Sequence, residues 1–159
     1  DKGLVIGDAA HATVPFYGQG MNASFEDCRI FGELINKKKD FNWSQIFQEF
    51  YSSRKKDADS ILDLSLDNYR VMRSDVLDEE HIKNQKLSFL LNNDYPEYFI
   101  PLYTMVSFTT IPYSIALNRG KIQNQILLDL LNGLDSVENY DKQKAEDLIL
   151  KNLTKINDD

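Results

Sequence analysis

The chain has 159 residues, of which 42% are hydrophobic and 27% charged, a composition typical of a folded globular protein. Its 25 acidic residues outnumber its 18 lysines and arginines and give a formal charge of −7. This sign argues against a general binder of the nucleic-acid phosphate backbone. With Cys28 as the only cysteine and two histidines, the sequence also argues against a disulfide framework and against a Cys- or His-rich metal site.

The chain begins with a short apolar run, Leu4-Val5-Ile6, that ends in Gly7. Such a run is typical of a buried strand in an α/β sheet. Because one parallel strand cannot form a sheet by itself, we expect its partner strands to belong to a missing N-terminal half, upstream of this chain. Residues 8–21 are rich in glycine, proline and small side chains, and they predict a long packed loop.

Helical periodicity dominates the remainder of the chain. One helix is predicted over residues 22–37, with Phe25 and Cys28 on its apolar face and lysines 37–39 at its end. One long helix, or two with a kink near Ser52-Ser53, is predicted from Trp43 to Met72, because no proline or glycine interrupts this stretch. Further helices are predicted over 74–94, over 113–131 with Gly133 as its cap, and around 145–153.

Residues 98–117 carry no charged side chain over 20 positions, a length that permits a transmembrane helix. Two prolines, Pro101 and Pro112, interrupt this segment, and seven Ser, Thr or Tyr residues lie between Tyr103 and Ser114. These residues favour a buried core segment, so we predict no membrane segment.

The most informative stretch covers residues 7–22. Asp8 follows the predicted strand at the edge where α/β sheets bind ligands, and its carboxylate can accept hydrogen bonds from sugar-like hydroxyls. Gly18 and Gly20 precede a helix N-terminus, which stabilises an anion. A Gly-Asp pair, a Gly-x-Gly sequence or a single histidine such as His11 is weak by itself, but their combination is far more specific.

The sequence GDAAHATVPFYGQGMNASFEDC, residues 7–28, resembles the second flavin-binding motif of the class A flavoprotein aromatic hydroxylases, which use FAD, NAD(P)H and O2. Residues 54–73 and 99–108 resemble the long helix and the substrate-site segment of the branch that hydroxylates L-kynurenine. The resemblance implies the C-terminal fragment of an α/β flavoprotein monooxygenase fold: one FAD-domain strand and a Gly-rich loop, then a mainly helical region. It divides the chain into the end of the FAD-binding domain, 1–40, and a helical substrate-site region, 41–159.

By this resemblance, four residues bind the cofactor. Asp8 holds the ribityl chain of FAD, and Gly20 belongs to the loop that opens the helix. The backbone N–H groups of Met21 and Asn22 face the N1/C2 carbonyl edge of the isoalloxazine ring, where reduced flavin carries negative charge and the helix dipole is complementary. His11 is expected to be structural and to position the loop by hydrogen bonds.

Four further residues bind the substrate by the same resemblance. Phe16 and Met72 line the aromatic pocket, while Asn68 and Tyr103 bind the amino-acid end of kynurenine. Met72 follows Asn68 by four positions and therefore shares its helix face. Without the resemblance, an Asn and a Met at this spacing are more often packing residues.

The implied reaction converts L-kynurenine to 3-hydroxykynurenine, in tryptophan degradation and NAD biosynthesis. NADPH reduces FAD, O2 adds to form a flavin C4a-hydroperoxide, and the aromatic ring attacks its distal oxygen. This scheme needs no catalytic side chain and no metal. Because the GxGxxG fingerprint for the ADP portion is not found in the sequence, we expect the chain alone to be inactive and not to bind FAD measurably. Its polar C-terminus predicts the cytoplasmic, bacterial-type form without a membrane anchor.

Two alternatives stay open. The chain could belong to another class A flavin hydroxylase that acts on a phenol or a polycyclic substrate, which substitution of Asn68 would distinguish. It could also be a helical interaction module without activity, which a flavin titration would distinguish.

Overall fold

A computed structural model of the chain describes residues 3–37, 42–74 and 78–156, and this part of the chain is helical or irregular, without a β-strand. The elements in chain order are α1 (Asp8–His11), α2 (Gly20–Lys37), α3 (Trp43–Ser74), α4 (Glu79–Asp94), α5 (Leu102–Phe108), α6 (Tyr113–Leu131), a 3₁₀ turn (Val137–Asn139) and α7 (Lys142–Asn152).

The predicted helices are confirmed. Helix α3 is one uninterrupted helix, the first of the two predicted possibilities, and α6 has the predicted bounds, with Gly133 beyond it at a φ of 75°. Parts of two predictions lie outside the described residues, namely lysines 38 and 39 and residues 75–77. The domain boundary predicted after residue 40 also lies outside them.

The predicted strand is not found. Residues 4–6 are irregular, because a strand exists only through hydrogen bonds to a neighbouring strand and the described ranges contain none. The predicted loop over 8–21 is also partly wrong: residues 8–11 form the helical turn α1, and α2 begins at Gly20. Of the expected fold, the mainly helical region is therefore observed and the strand is not.

The chain divides into two compact units. The first comprises Asp1–Tyr69 with Pro112–Ser114, and the second comprises Arg70–Ile111 with Ile115–Asp159. In the first unit, the buried apolar residues come mainly from α2 and α3, with one from α6: Ala23, Ile46, Phe50, Ile61, Leu64 and Tyr113. The Phe31 and Phe50 rings meet edge to face, with centroids 5.6 Å apart.

The second unit has a larger apolar core from α4, α6, α7 and the segments between them: Leu87, Leu91, Phe99, Ile126, Leu127, Leu130, Val137, Tyr140, Ala145, Ile149 and Leu153. Arg119 of α6 is buried and binds two separate segments. Its Nη2 donates to the carbonyl oxygens of Tyr98, at 2.7 Å, and Thr154, at 3.0 Å. These bonds hold the segments that contain Tyr98 and Thr154 against α6.

The uncharged stretch 98–117 is not one helix. Pro101 is the N-cap of α5, and Pro112 directly precedes α6. Phe99, Met105 and Val106 are buried, as predicted for a core segment. No helix among the described residues is both long and apolar enough to cross a membrane.

Candidate functional site

The predicted cofactor residue Asp8 lies in a tight turn that glycine makes possible. Gly7 has a φ of 61°, and its carbonyl accepts the N–H groups of Ala10 at 2.8 Å and His11 at 3.0 Å. An added Cβ at Gly7 would lie 3.2 Å from Ser24 Oγ. Both the positive φ and this close approach favour glycine here.

One buried carboxylate binds both ends of this turn. Asp27 of α2 is 1% exposed, and its Oδ2 accepts the Gly7 N–H at 2.9 Å and the His11 Nε2–H at 2.7 Å. Its Oδ1 accepts Arg54 Nε–H at 2.7 Å. Burial raises the pKa of Asp27, but the hydrogen bonds from Arg54, Gly7 and His11 lower it by more, so the pKa lies below its usual value. The expectation that His11 positions the loop by hydrogen bonds is confirmed.

Arg54 of α3 lies among three carboxylates. Besides its bond to Asp27, its Nη2 is 3.3 Å from Glu26 Oε2 and its Nη1 is 3.6 Å from Asp57 Oδ2. Only 4% of the Arg54 side chain is exposed. Asp57 Oδ1 in turn accepts the Ser114 N–H at 2.9 Å, in the first turn of α6. The cluster thus fixes α2 to α3 and to the start of α6 through charged hydrogen bonds.

The Asp8 carboxylate is exposed and lies near the beginning of α2. A Cβ built on Gly20 would lie 3.7 Å from Asp8 Oδ1 and 3.1 Å from Thr13 Oγ1, so glycine keeps this space open. By α-helix geometry, the first N–H groups of α2 have no acceptor within the helix. A carboxylate acceptor beside such donors suits a polar group that carries both hydroxyls and negative charge. The chemistry of these residues therefore fits the ribityl chain and pyrimidine edge of a flavin.

Gln19 organises the residues at the start of α2. Its side chain is buried, and Oε1 accepts Asn22 Nδ2–H at 2.9 Å and the Tyr113 hydroxyl at 3.2 Å. Burial raises the pKa of Tyr113, so its hydroxyl stays protonated as a donor. Met21 is 66% exposed. All the predicted cofactor residues belong to the first compact unit, namely Asp8, Gly20, Met21 and Asn22.

Two of the predicted substrate residues are brought together in the first unit. Asn68 Nδ2 donates to the Phe16 carbonyl oxygen at 2.7 Å, across 52 positions of sequence. The Phe16 ring also lies against Tyr69, with centroids 4.6 Å apart. Asn68 therefore holds the loop that carries Phe16.

The other two predicted substrate residues belong to the second unit. Met72 lies on α3 four residues after Asn68 and is exposed. Tyr103 of α5 is also exposed, and its ring meets Phe108 edge to face at 6.2 Å.

A small cavity of about 170 Å³ adjoins the α1 turn, and it is lined in part by Leu4, Val5, Ala10, Phe50 and Ala58. Ligand pockets usually measure about 300–1,000 Å³. We therefore assign no ligand to this cavity.

Sequence reasoning missed Asp27 and Gln19. The helical pattern predicts Phe25 and Cys28 on the apolar face of α2 and assigns no role to Asp27. The structure buries Ala23 and Asp27 from α2 and exposes Phe25 and Cys28. A signal was available in the spacing, since Asp27 lies one turn from Ala23 on the same helix face.

Comparison with known protein families gives a match over the first part of the chain. Residues 1–97 match the family model described as squalene epoxidase. Because this match covers more than half of the chain, the chain belongs to that family.

The curated relatives of this chain carry a more specific name than the family model does. Proteins named kynurenine 3-monooxygenase are 52% identical over 80% of this chain in Cytophaga hutchinsonii, 43% over 98% in Flavobacterium johnsoniae and 37% over 94% in Legionella pneumophila. The resemblance predicted from the sequence is thereby confirmed. The alignments cover 28%, 34% and 33% of these relatives, so the chain spans about a third of their length.

Proposed function

We propose that the chain forms part of an FAD-dependent monooxygenase that converts L-kynurenine to 3-hydroxykynurenine with NADPH and O2. The observation that carries this proposal is the exposed Asp8 carboxylate beside the N-terminus of α2, in a chain whose relatives bear the name kynurenine 3-monooxygenase. FAD supplies the electron transfer and the oxygen chemistry when it is bound.

The residues of the first unit hold and orient the cofactor in this proposal. Asp8 accepts hydrogen bonds from ribityl hydroxyls, and Gly20 leaves the space that close approach requires. The N–H groups of Met21 and Asn22 face the pyrimidine edge of the flavin, where the positive end of the α2 dipole favours negative charge. No side chain of this chain is proposed to transfer a proton.

Phe16, Asn68, Met72 and Tyr103 are proposed to bind the substrate. Phe16 and Met72 provide apolar surface for the aromatic ring, and the Asn68 amide and Tyr103 phenol bind the amino-acid end. Asn68 also orders the loop from which Phe16 extends, because its side chain donates a hydrogen bond to the Phe16 carbonyl oxygen.

The proposal is tested with the purified full-length gene product, supplied with FAD and NADPH. We expect L-kynurenine to stimulate NADPH oxidation and 3-hydroxykynurenine to accumulate, as measured by absorbance and mass spectrometry. Simple phenols and polycyclic phenols serve as comparison substrates. Turnover of these compounds without any response to kynurenine would favour the other hydroxylase class, and no flavin binding at all would favour an interaction module.

The substitution Asn68→Ala tests the substrate site within this proposal. We expect a clearly raised KM for kynurenine, because both an amide ligand and the bond to Phe16 are lost. Asn84→Ala is the matched control, since Asn84 makes a long 3.4 Å side-chain bond to Asn124 within the second unit. Equal effects of the two substitutions on KM would contradict a substrate role for Asn68.

A further inference from the structure

The turn that carries Asp8 is bound at both ends by a single carboxylate oxygen. Gly7 precedes Asp8 and His11 ends α1, and both donate to Asp27 Oδ2, at 2.9 Å and 2.7 Å. Two donors on either side of Asp8 therefore converge on one point of α2. This arrangement fixes the orientation of the turn as well as its distance from α2.

Asp27 itself cannot move away from this position easily. Its second oxygen accepts Arg54 Nε–H at 2.7 Å, and the Arg54 guanidinium lies at ion-pair distance from Glu26, 3.3 Å, and Asp57, 3.6 Å. The Asp27 and Arg54 side chains are 1% and 4% exposed, so solvent does not screen their bond. Any reorientation of Asp27 would leave buried donors without an acceptor, which is costly.

We propose that Asp27 is a positioning residue for cofactor binding: it sets the turn Gly7–His11 so that the Asp8 carboxylate meets the flavin ribityl chain. This inference rests on the proposed function, in which Asp8 binds FAD. Asp27 acts only through the turn, because both of its oxygens are engaged by Gly7, His11 and Arg54.

Three donors require an acceptor with two oxygens. An asparagine at this position offers one oxygen and one NH2 group, so at least one of the Gly7, His11 and Arg54 donors would face another donor. Asp27→Asn preserves shape and removes this acceptor capacity. Asp27→Asn therefore tests how Asp27 affects the position of the turn while the side-chain volume packed in α2 stays the same.

The test compares Asp27→Asn with a substitution at Ile61, which is fully buried in α3. Ile61→Val or Ile61→Ala is chosen to match the loss in Tm of Asp27→Asn, so that both full-length gene products are equally destabilised. We expect Asp27→Asn alone to speed hydrogen exchange of the Ala10 and His11 amides at least tenfold. We also expect it alone to raise the Kd for FAD at least tenfold, measured by quenching of flavin fluorescence.

Two substitutions at His11 provide a test that does not depend on the folding of the Asp27 variant. Gln places an Nε2–H donor at a similar distance from the backbone, so His11→Gln should retain most FAD affinity. His11→Leu removes the donor and should weaken FAD binding and speed amide exchange in the turn.

The outcomes separate the two proposals. If Asp27→Asn and the matched Ile61 variant show the same amide exchange and the same Kd, or if His11→Gln and His11→Leu behave alike, Asp27 does not position the turn. If the unsubstituted protein binds no FAD, the proposed function fails, while amide exchange still decides whether Asp27 orders Gly7–His11.

Discussion

The two compact units differ in what lies at their centres. In the first, a buried carboxylate and a buried guanidinium, Asp27 and Arg54, connect α1, α2 and α3. In the second, mostly aliphatic side chains form the core among the described residues, the buried Arg119 donates to backbone carbonyls, and the carboxylate Asp94 lies near the surface. Buried ion pairs add little net stability, because desolvation offsets their attraction, but they define geometry sharply. The interior of the first unit thus includes a charged cluster that fixes a turn, whereas the interior of the second is mainly apolar.

The largest effect is expected from Asp27→Ala, which would leave the Arg54 charge buried without its acceptor. We expect a loss of about 3–5 kcal/mol in the free energy of unfolding. Chemical denaturation measures this loss, and hydrogen exchange should show it in α1, α2 and α3. A loss below about 1 kcal/mol would mean that the charged cluster does not hold the first unit together.

Leu91→Ala tests the apolar centre of the second unit. Leu91 is fully buried on α4, so the cavity should cost about 2–5 kcal/mol. Leu150→Ala on α7 is the control, because Leu150 is largely exposed and its truncation should have little effect. Faster exchange in α1 rather than in α4, α6 and α7 would contradict the separation of the two interiors.

The pH dependence of stability should also differ between the units. Hydrogen bonds hold the pKa of Asp27 below its ordinary 3.8, and those from Tyr140 and Lys142 lower the pKa of Asp94. A carboxyl group whose folded pKa is lowered stabilises the fold above its unfolded pKa, and this stabilisation is lost as the pH falls through the folded pKa. Both contributions should therefore decline as the pH falls below about 5 and through the lowered pKa of each group.

Substitution of Asp27 or Asp94 by asparagine measures how much each carboxyl group contributes to the pH dependence of stability. Asp27→Asn should remove more of the acid-dependent loss than Asp94→Asn, because the Asp94 side chain is 36% exposed and its interactions are screened. Urea unfolding at a series of pH values measures both slopes. Equal slopes for the two variants would show that burial does not distinguish the two carboxylates.

The smallest effect is expected at a helix cap of the second unit. Asp141 accepts the Lys144 N–H at 3.0 Å at the start of α7. Asp141→Ala should lower stability by about 1 kcal/mol, whereas Asp141→Ser should retain most of the cap. Thermal unfolding of the two variants checks this, and indistinguishable Tm values would show that the cap contributes nothing.

Local patterns predicted the helices well. An uninterrupted stretch without proline or glycine predicted α3, and Pro112 and Gly133 bracketed α6 in the sequence as they do in the structure. The same reasoning failed for residues 4–6, because an apolar β-branched run becomes a strand only where a neighbour supplies hydrogen bonds. Periodicity also misplaced the buried face of α2, since it placed Phe25 and Cys28 there, whereas the structure buries Ala23 and Asp27.

The sequence by itself determined the helices, the family resemblance and the residues proposed to meet the cofactor, because these depend on short-range spacing and on residue type. Only the tertiary structure identified the bonds that position Asp8. The partners of Asp27 lie 16, 20 and 27 positions away, at His11, Gly7 and Arg54, and no local pattern relates them. A buried carboxylate is defined by the donors that surround it, and those donors converge only when the turn, α2 and α3 have folded together.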